Sequence, residues 1–306
     1  MRLDGIHHIT CITGDAPANV RFYAGTLGLR MVKKSVNQDD PTIYHLFYAD
    51  EKGSAGSDIT FFEYPGAPRG RAGAGMVHLI VWRVTSEEAL DFWERRLAQH
   101  GVVPKRAQGS IRFQDPEGLD LELRVVETDE EPLIADHPEI PKEVALQGFE
   151  GVRAFTADPD MSRGALTEVL GFSDDGDDRF VARGEHRSGF YAYDRAPGRG
   201  LQGAGTVHHI AWAAPMEEHE AWRDRVASGG LDVTPVIDRF WFKSIYFREP
   251  SGVLFEIATL GPGFDVDEPV ETLGEKLTLP PNYEHLRDKL QDILTPLPDP
   301  RAEASA

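Results

Sequence analysis

The strongest constraint on this fold is internal repetition. Gly73-Ala74-Gly75-Met76-Val77-His78-Leu79-Ile80-Val81-Trp82 returns as Gly203-Ala204-Gly205-Thr206-Val207-His208-His209-Ile210-Ala211-Trp212. Further on, Ile111-Arg112-Phe113-Gln114-Asp115-Pro116-Glu117-Gly118 with Glu122 returns as Ile245-Tyr246-Phe247-Arg248-Glu249-Pro250-Ser251-Gly252 with Glu256. A fainter repeat joins Gly5-Ile6-His7-His8, with Thr13, Asp15 and Leu27-Gly28-Leu29, to Gly148-Phe149-Glu150-Gly151, with Thr156, Asp158 and Leu170-Gly171-Phe172. The chain therefore reads as four modules, starting near Leu3, Gly75, Gly148 and Gly205. Such units are longer than solenoid repeats and too few for an extended array, so a closed pseudo-symmetric pair of domains is expected.

Each module reads as a strand, a helix and about three further strands. Residues 7–12 are β-branched and end at Asp15, a helix N-cap type. Residues 16–26 read as a helix ending at Gly28, with strands at 43–48 and 58–64 and a Gly/Pro/Arg loop over 65–75. The second module has a strand at 77–84, a helix opened by Thr85 and Glu88 at capping-box spacing, and strands at 111–113 and 119–126. Module three offers strands at 179–183 and 188–193; module four offers 207–213, a helix over 216–228, and strands at 244–247 and 253–259. Residues 127–141 are acidic and proline-rich, the expected linker between halves. In chain order the expected units are 1–135 (modules one and two), 142–265 (modules three and four) and a tail, 266–306. In the tail, Asn282 is expected to cap a docking helix through Leu286, Leu290 and Leu294, with a frayed end after Pro300. The class is α+β.

Composition sets outer bounds. The 306 residues suffice for two domains with cores, and 41% hydrophobic with 27% charged residues is ordinary for a globular protein. Apolar runs fall short of the roughly 20 residues that span a bilayer, and Met1-Arg2-Leu3-Asp4 leads into a strand pattern, so no membrane partner is expected. A net charge of −19 without a basic stretch argues against nucleic acid. The single cysteine, Cys11, forms no internal disulfide, and a reducing cytoplasm is expected. A homo-oligomer is a general expectation only.

The repeats disagree where a metal could bind. His8 corresponds to Gly151 and His209 to Leu79, while Glu122 and Glu256 are present in both late strands. Modules one and four alone together supply His8, His209 and Glu256. Two imidazoles and one carboxylate form the facial set that suits non-haem iron(II) and leaves positions open. The set requires modules one and four to share one cup, leaving two and three to form a metal-free one. A glutamate in Val253-Leu254-Phe255-Glu256-Ile257-Ala258 is costly to bury without a cation, whereas Glu122, beside Arg124, is placed to pair with arginine. Neighbours on a strand face opposite ways, so one histidine of each pair faces the metal and the other is not its equal. The Leu79 replacement singles out His209, since His78 and His208 occur in both copies.

These motifs resemble the vicinal oxygen chelate superfamily, built from paired βαβββ modules that form cups. Within it the chain is similar to the ring-cleaving hydroquinone dioxygenases of the 2,6-dichlorohydroquinone 1,2-dioxygenase type. The resemblance runs from Ile6-His7-His8-Ile9-Thr10 through Tyr44-His45-Leu46-Phe47-Tyr48-Ala49-Asp50 to Gly252-Val253-Leu254-Phe255-Glu256. It implies metal ligands at His8, His209 and Glu256, and catalytic partners at His7, Thr10, His208, Arg239 and Tyr246. It implies Fe(II), with Mn(II) or Zn(II) as alternatives, O2 as co-substrate and a small aromatic substrate. His208 and Tyr246 would move protons and Arg239 would stabilise anionic oxygen. Phe240 and Trp241 depart from the dichlorohydroquinone pattern, so a chlorinated substrate does not carry over. Two rival readings remain: a glyoxalase-like metal-dependent isomerase or lyase, whose fourth ligand would fall at Gly151 or Glu150, and a non-catalytic aromatic- or quinone-binding protein.

Overall fold

The computed structural model describes residues 1–299; the expected fraying after Pro300 lies outside the described residues. Module one comprises β1 (Ile6–Thr13), α1 (Ala16–Val20), β2 (Arg30–Val36), β3 (Tyr44–Ala49) and β4 (Asp58–Glu63). Module two comprises β5 (Met76–Val84), α2 (Glu87–Gln99), β6 (Lys105–Ala107), β7 (Ser110–Gln114) and β8 (Asp120–Val125). Module three has β9 (Phe149–Thr156), α3 (Asp160–Gly164), β10 (Ser173–Asp174), β11 (Arg179–Arg183) and β12 (Ser188–Arg195). Module four has β13 (Thr206–Ala214), α4 (His219–Ser228), β14 (Ile237–Asp238), β15 (Phe242–Arg248) and β16 (Leu254–Pro262), and α5 (Arg287–Ile293) follows in the tail.

Two eight-stranded curled sheets result. One runs β14-β15-β16-β13-β1-β4-β3-β2, the other β10-β11-β12-β9-β5-β8-β7-β6. Modules one and four thus share a sheet, as the ligand set required, and modules two and three share the other. The chain halves 1–135 and 142–265 each send four strands to each sheet. Within a module the first and last strands pair in parallel, as β1 with β4 and β13 with β16, and the modules meet through antiparallel β1–β13 and β5–β9.

Strand alternation sorts the side chains. Ile9 and Cys11 of β1, Ile210 and Trp212 of β13, and Phe255 and Ile257 of β16 enter the main core, which also holds Trp82, Trp93 and Trp222. Burying each such aliphatic or aromatic side chain stabilises the fold by roughly 1.5–3 kcal/mol. The opposite face of the first sheet carries the histidines and is lined by Phe47, Ala211, Trp241, Phe242 and Ala258. The chain after β16 straps across this face. Lys33 of β2, fully buried, anchors the strap by donating to the Phe264 carbonyl at 3.1 Å and to Asp267 at 2.9 Å, with Glu268 as a third partner.

Several local expectations shift. Asp15 caps α1 as read, accepting from the Ala18 amide at 2.9 Å, but the helix widens to a π turn over Arg21–Thr26. Ser86, not Thr85, caps α2: its hydroxyl accepts from Ala89 N, while Thr85 donates to the Glu143 carbonyl. The helix of module four opens as a 3-10 turn, Met216–Glu218. Asn282 caps nothing by its side chain; a 3-10 turn, Pro281–Leu286, leads into α5, whose Leu290 is buried as a docking helix requires. β2, β6, β10 and β14 escape the sequence reading because they are short or polar, and the buried Lys33 makes β2 look solvent-facing.

Candidate metal centre

The site grows from two β-bulges. Along β1 and β13, Ile6 pairs with Trp212 and His8 with Ala211, so His7 is an extra residue; Thr10 pairs with His209 and Cys11 with Val207, so His208 is the other. A bulge re-aims side chains that strict alternation would send apart. Here it modifies the expectation of opposed neighbours, because His7 and His8 touch through their Nδ1 atoms at 2.9 Å and His208 and His209 at 2.8 Å. The second sheet carries the same bulges at His78 and Glu150.

His8, His209 and Glu256 converge, with one ligand atom from each lying within 4.8 Å of the others. Oε2 of Glu256 sits 2.9 Å from Nε2 of His209 and 3.3 Å from Nε2 of His8. Its other oxygen accepts from the Ser244 hydroxyl at 2.5 Å. All three ligand side chains are buried.

Hydrogen bonding fixes the tautomer on one arm. A carbonyl only accepts, so Nε2 of His7, 3.1 Å from Thr259 O, carries a proton. Burial, and then the neighbouring His8, lowers the His7 pKa to about 3, so the ring is neutral and Nδ1 is a bare acceptor. The Nδ1 contact therefore takes its proton from His8, and a neutral His8 presents the lone pair of Nε2 to Glu256 and His209. His209 matches it when its own Nδ1 donates to His208, whose pKa burial and His209 likewise lower to about 3.

Two imidazoles and a carboxylate buried at these distances call for a cation between them, a proton in the metal-free site or a metal in its place. Oε2 of Glu256 is buried without a hydrogen-bond partner among the described residues. Burial opposes its charge, yet His8 and His209 outweigh that and hold its pKa well below the carboxylate range. Burial similarly opposes charging His8, and Glu256 reverses the balance to raise its pKa. The donor set, the forced tautomer and the bare oxygen fit a divalent metal.

Register also locates the fourth position. Ala211 pairs with Glu256 in β13–β16, and its counterpart Thr10 pairs with Thr60 in β1–β4. Thr60, rather than Gly151 or Glu150, thus stands where a second carboxylate would complete four protein ligands. Gly151 lies in the other sheet, where a Cβ would meet the Phe190 ring at 2.3 Å. There Leu79 and Phe190 pack together and Glu122 is held by Arg112 and Arg124 at 2.6 Å each, so the positions equivalent to the triad are apolar or charge-neutralised.

A cavity of about 30 Å³ opens on the ligands, bordered by His45, Phe62, Arg239, Trp241 and Tyr246 among others. Arg239 Nε reaches Tyr246 Oη at 3.4 Å, while its terminal nitrogens grip Asp39 at 3.0 and 2.9 Å. Gln38 donates to the Arg239 carbonyl at 2.8 Å, and Tyr283 donates to the Gln38 carbonyl at 2.6 Å. Burial, then Glu256, pushes the Tyr246 phenol well above its ordinary pKa. Among the described residues Thr10 makes no hydrogen bond to the triad, and its hydroxyl accepts from Thr60 at 2.8 Å. Sequence reasoning missed His45, Asp39, Ser244 and Thr60 as site residues, although His45 stood inside a quoted motif.

The family model described as Glyoxalase/Bleomycin resistance protein/Dioxygenase superfamily matches residues 5–123 and 148–257, and the chain belongs to that superfamily. It is 42% identical to the protein named "Putative ring-cleaving dioxygenase MhqO" from Bacillus subtilis, over 95% of this chain and 96% of that one. It is 31% identical to the chlorohydroquinone/hydroquinone 1,2-dioxygenase of Sphingobium indicum, over 94% of this chain and 95% of that one. A crystal structure of a "putative dioxygenase" from Bacillus subtilis superposes with a TM-score of 0.90 at 41% identity, covering 97% of this chain and 98% of that one. Maize glyoxalase I shares the fold alone, with a TM-score of 0.60 at 14% identity over 84% of this chain and 92% of that one.

Proposed function

We propose that this chain is an iron(II)-dependent, extradiol-type dioxygenase that opens the ring of a hydroquinone- or catechol-like aromatic with O2. The observation that carries the reading is the two-histidine, one-carboxylate cluster with Thr60 at the fourth position, joined to relatives named for ring cleavage. His8, His209 and Glu256 would hold the metal, and Mn(II) or Zn(II) are the alternatives. When bound, iron(II) acidifies a phenolic hydroxyl and brings the aromatic ring and O2 together.

The surrounding residues have definite tasks. His7 accepts from Nδ1 of His8, and His208 would accept from Nδ1 of His209, each holding its neighbour with Nε2 free for the metal. Tyr246, with its raised pKa, remains protonated at neutral pH and serves as a proton donor. Arg239, once released from Asp39, offers its guanidinium to anionic oxygen on the substrate or product. A cavity of about 30 Å³ admits water rather than an aromatic ring. Entry therefore requires Asp39 and Arg239 to part, which costs little because Asp39 is 73% exposed. The buried lone cysteine fits a reducing cytoplasm, our assigned compartment.

The test is anaerobic loading with iron(II), then oxygen uptake with hydroquinone, methylhydroquinone and catechol, with Glu256→Ala alongside. Iron-dependent uptake with a ring-opened product, absent in the variant, is expected. Turnover of thiol-adduct substrates by zinc- or nickel-loaded protein, with no oxygen uptake from verified iron-loaded protein, would replace the reading with an isomerase.

A further inference from the structure

We infer that His45 is a specificity residue: the hydrogen-bond acceptor for the substrate's second hydroxyl, across the ring from the one at the metal. The inference rests on the proposed hydroquinone reading. His45 lies on β3 in the motif Tyr44-His45-Leu46-Phe47-Tyr48, and none of the roles above uses it. It forms part of the cavity wall with His8, His209, Arg239 and Tyr246. Its ring is clamped between Phe47 and Phe62, at centroid distances of 3.9 and 4.4 Å. The ring therefore cannot readily swing out of the cavity.

The chemistry of its two nitrogens follows from the adjacent threonines. Thr60 donates its hydroxyl proton to Thr10 Oγ at 2.8 Å. With Thr60 donating in that contact, Nε2 of His45, 2.9 Å from Thr60 Oγ, supplies the proton of its own. Burial, followed by His8, His209 and Arg239, keeps the ring neutral. Nδ1 is left as a lone-pair acceptor, since the ring's hydrogen bond among the described residues runs through Nε2. Thr60 thus holds the position a fourth metal ligand would take and uses it to set a histidine tautomer.

An acceptor on the wall of a cavity whose other polar groups are mostly donors or ligands selects for an O–H. A para-dihydroxy ring bound through one oxygen carries its second hydroxyl away from the metal, within the reach of a wall group. A catechol places both oxygens at the metal and leaves His45 unused. His45 therefore separates hydroquinones from simple phenols and from catechols.

The test uses the full-length iron(II) protein without oxygen, so it reads binding independently of turnover. Dissociation constants are measured for hydroquinone, for 4-fluorophenol (matched in size but unable to donate) and for catechol. The comparison covers wild type, His45→Phe and His45→Asn, whose amide oxygen sits near the Nδ1 position. Wild type is expected to favour hydroquinone over 4-fluorophenol by roughly ten-fold, the worth of one neutral hydrogen bond. His45→Phe is expected to erase that preference, His45→Asn to retain it, and catechol affinity and iron content to stay level. A wild type that binds both phenols alike overturns the inference, even if His45→Phe fails to fold. So does a His45→Phe protein that keeps the preference. Failure of the dioxygenase reading registers separately, as absent oxygen uptake with hydroquinone demonstrably bound.

Discussion

Replacing His7 by leucine isolates the hydrogen-bond relay behind the metal. In the native site Thr259 O fixes the proton on His7 Nε2, and His7 Nδ1 accepts from His8 at 2.9 Å. Without that acceptor the Nδ1–H of His8 is buried and unpaired, which costs about 1–3 kcal/mol. The ring is then driven toward the other tautomer, with its proton on Nε2 directed at Glu256 Oε2, 3.3 Å away. A bound metal would force the proton back to Nδ1, where the variant offers it no acceptor. Iron(II) affinity is therefore expected to fall by roughly 10- to 100-fold although all three ligands remain. Anaerobic competition against a calibrated chelator measures the affinity, and a thermal melt confirms folding. His7→Gln, which restores an acceptor, should recover part of the loss. An unchanged iron affinity in folded His7→Leu would refute the relay.

Three further outcomes are expected. Asp58 is buried with both carboxylate oxygens unpartnered among the described residues, and burial raises its pKa from 3.8 to about 8. A carboxyl whose folded pKa is raised withdraws stability as pH climbs from 3.8 toward 8, so Asp58→Asn should stabilise metal-free protein by up to roughly 4 kcal/mol at pH 7. Urea melts should show that gain shrinking on acidification. Gly151→Ala drives a methyl into Phe190 ring atoms at 2.3–2.6 Å and should destabilise by about 1–3 kcal/mol, read by denaturant melts, while iron content holds. Elemental analysis should find one iron per chain, because Gly151, Leu79 and the arginine-paired Glu122 replace the triad in the second cup.

Much of this was legible because duplication supplies its own internal comparison. Differences at His8/Gly151 and His209/Leu79 pointed to modules one and four, the strand order joins those modules in one sheet, and His8, His209 and Glu256 converge there. The arginine pairing of Glu122 followed from Arg124 nearby, though Arg112 came from the adjacent strand β7. What escaped depends on register. A bulge is an offset between two strands, so no single strand shows that His7 and His208 turn toward their neighbours. Thr60 as the fourth-ligand position likewise needs the parallel pairing of β1 with β4. Asp39 and Arg239 are far apart in sequence, and their contact beside the cavity leaves no local signal.

The most direct test is turnover of hydroquinone under ¹⁸O2 by the iron(II) protein, with mass spectrometry of the quenched product. Ring cleavage by a dioxygenase puts both labelled atoms into an open-chain product, and Glu256→Ala should give none. Unlabelled benzoquinone as the iron-dependent product would mean that the ring is oxidised but not opened, and would contradict the function assigned to His8, His209 and Glu256.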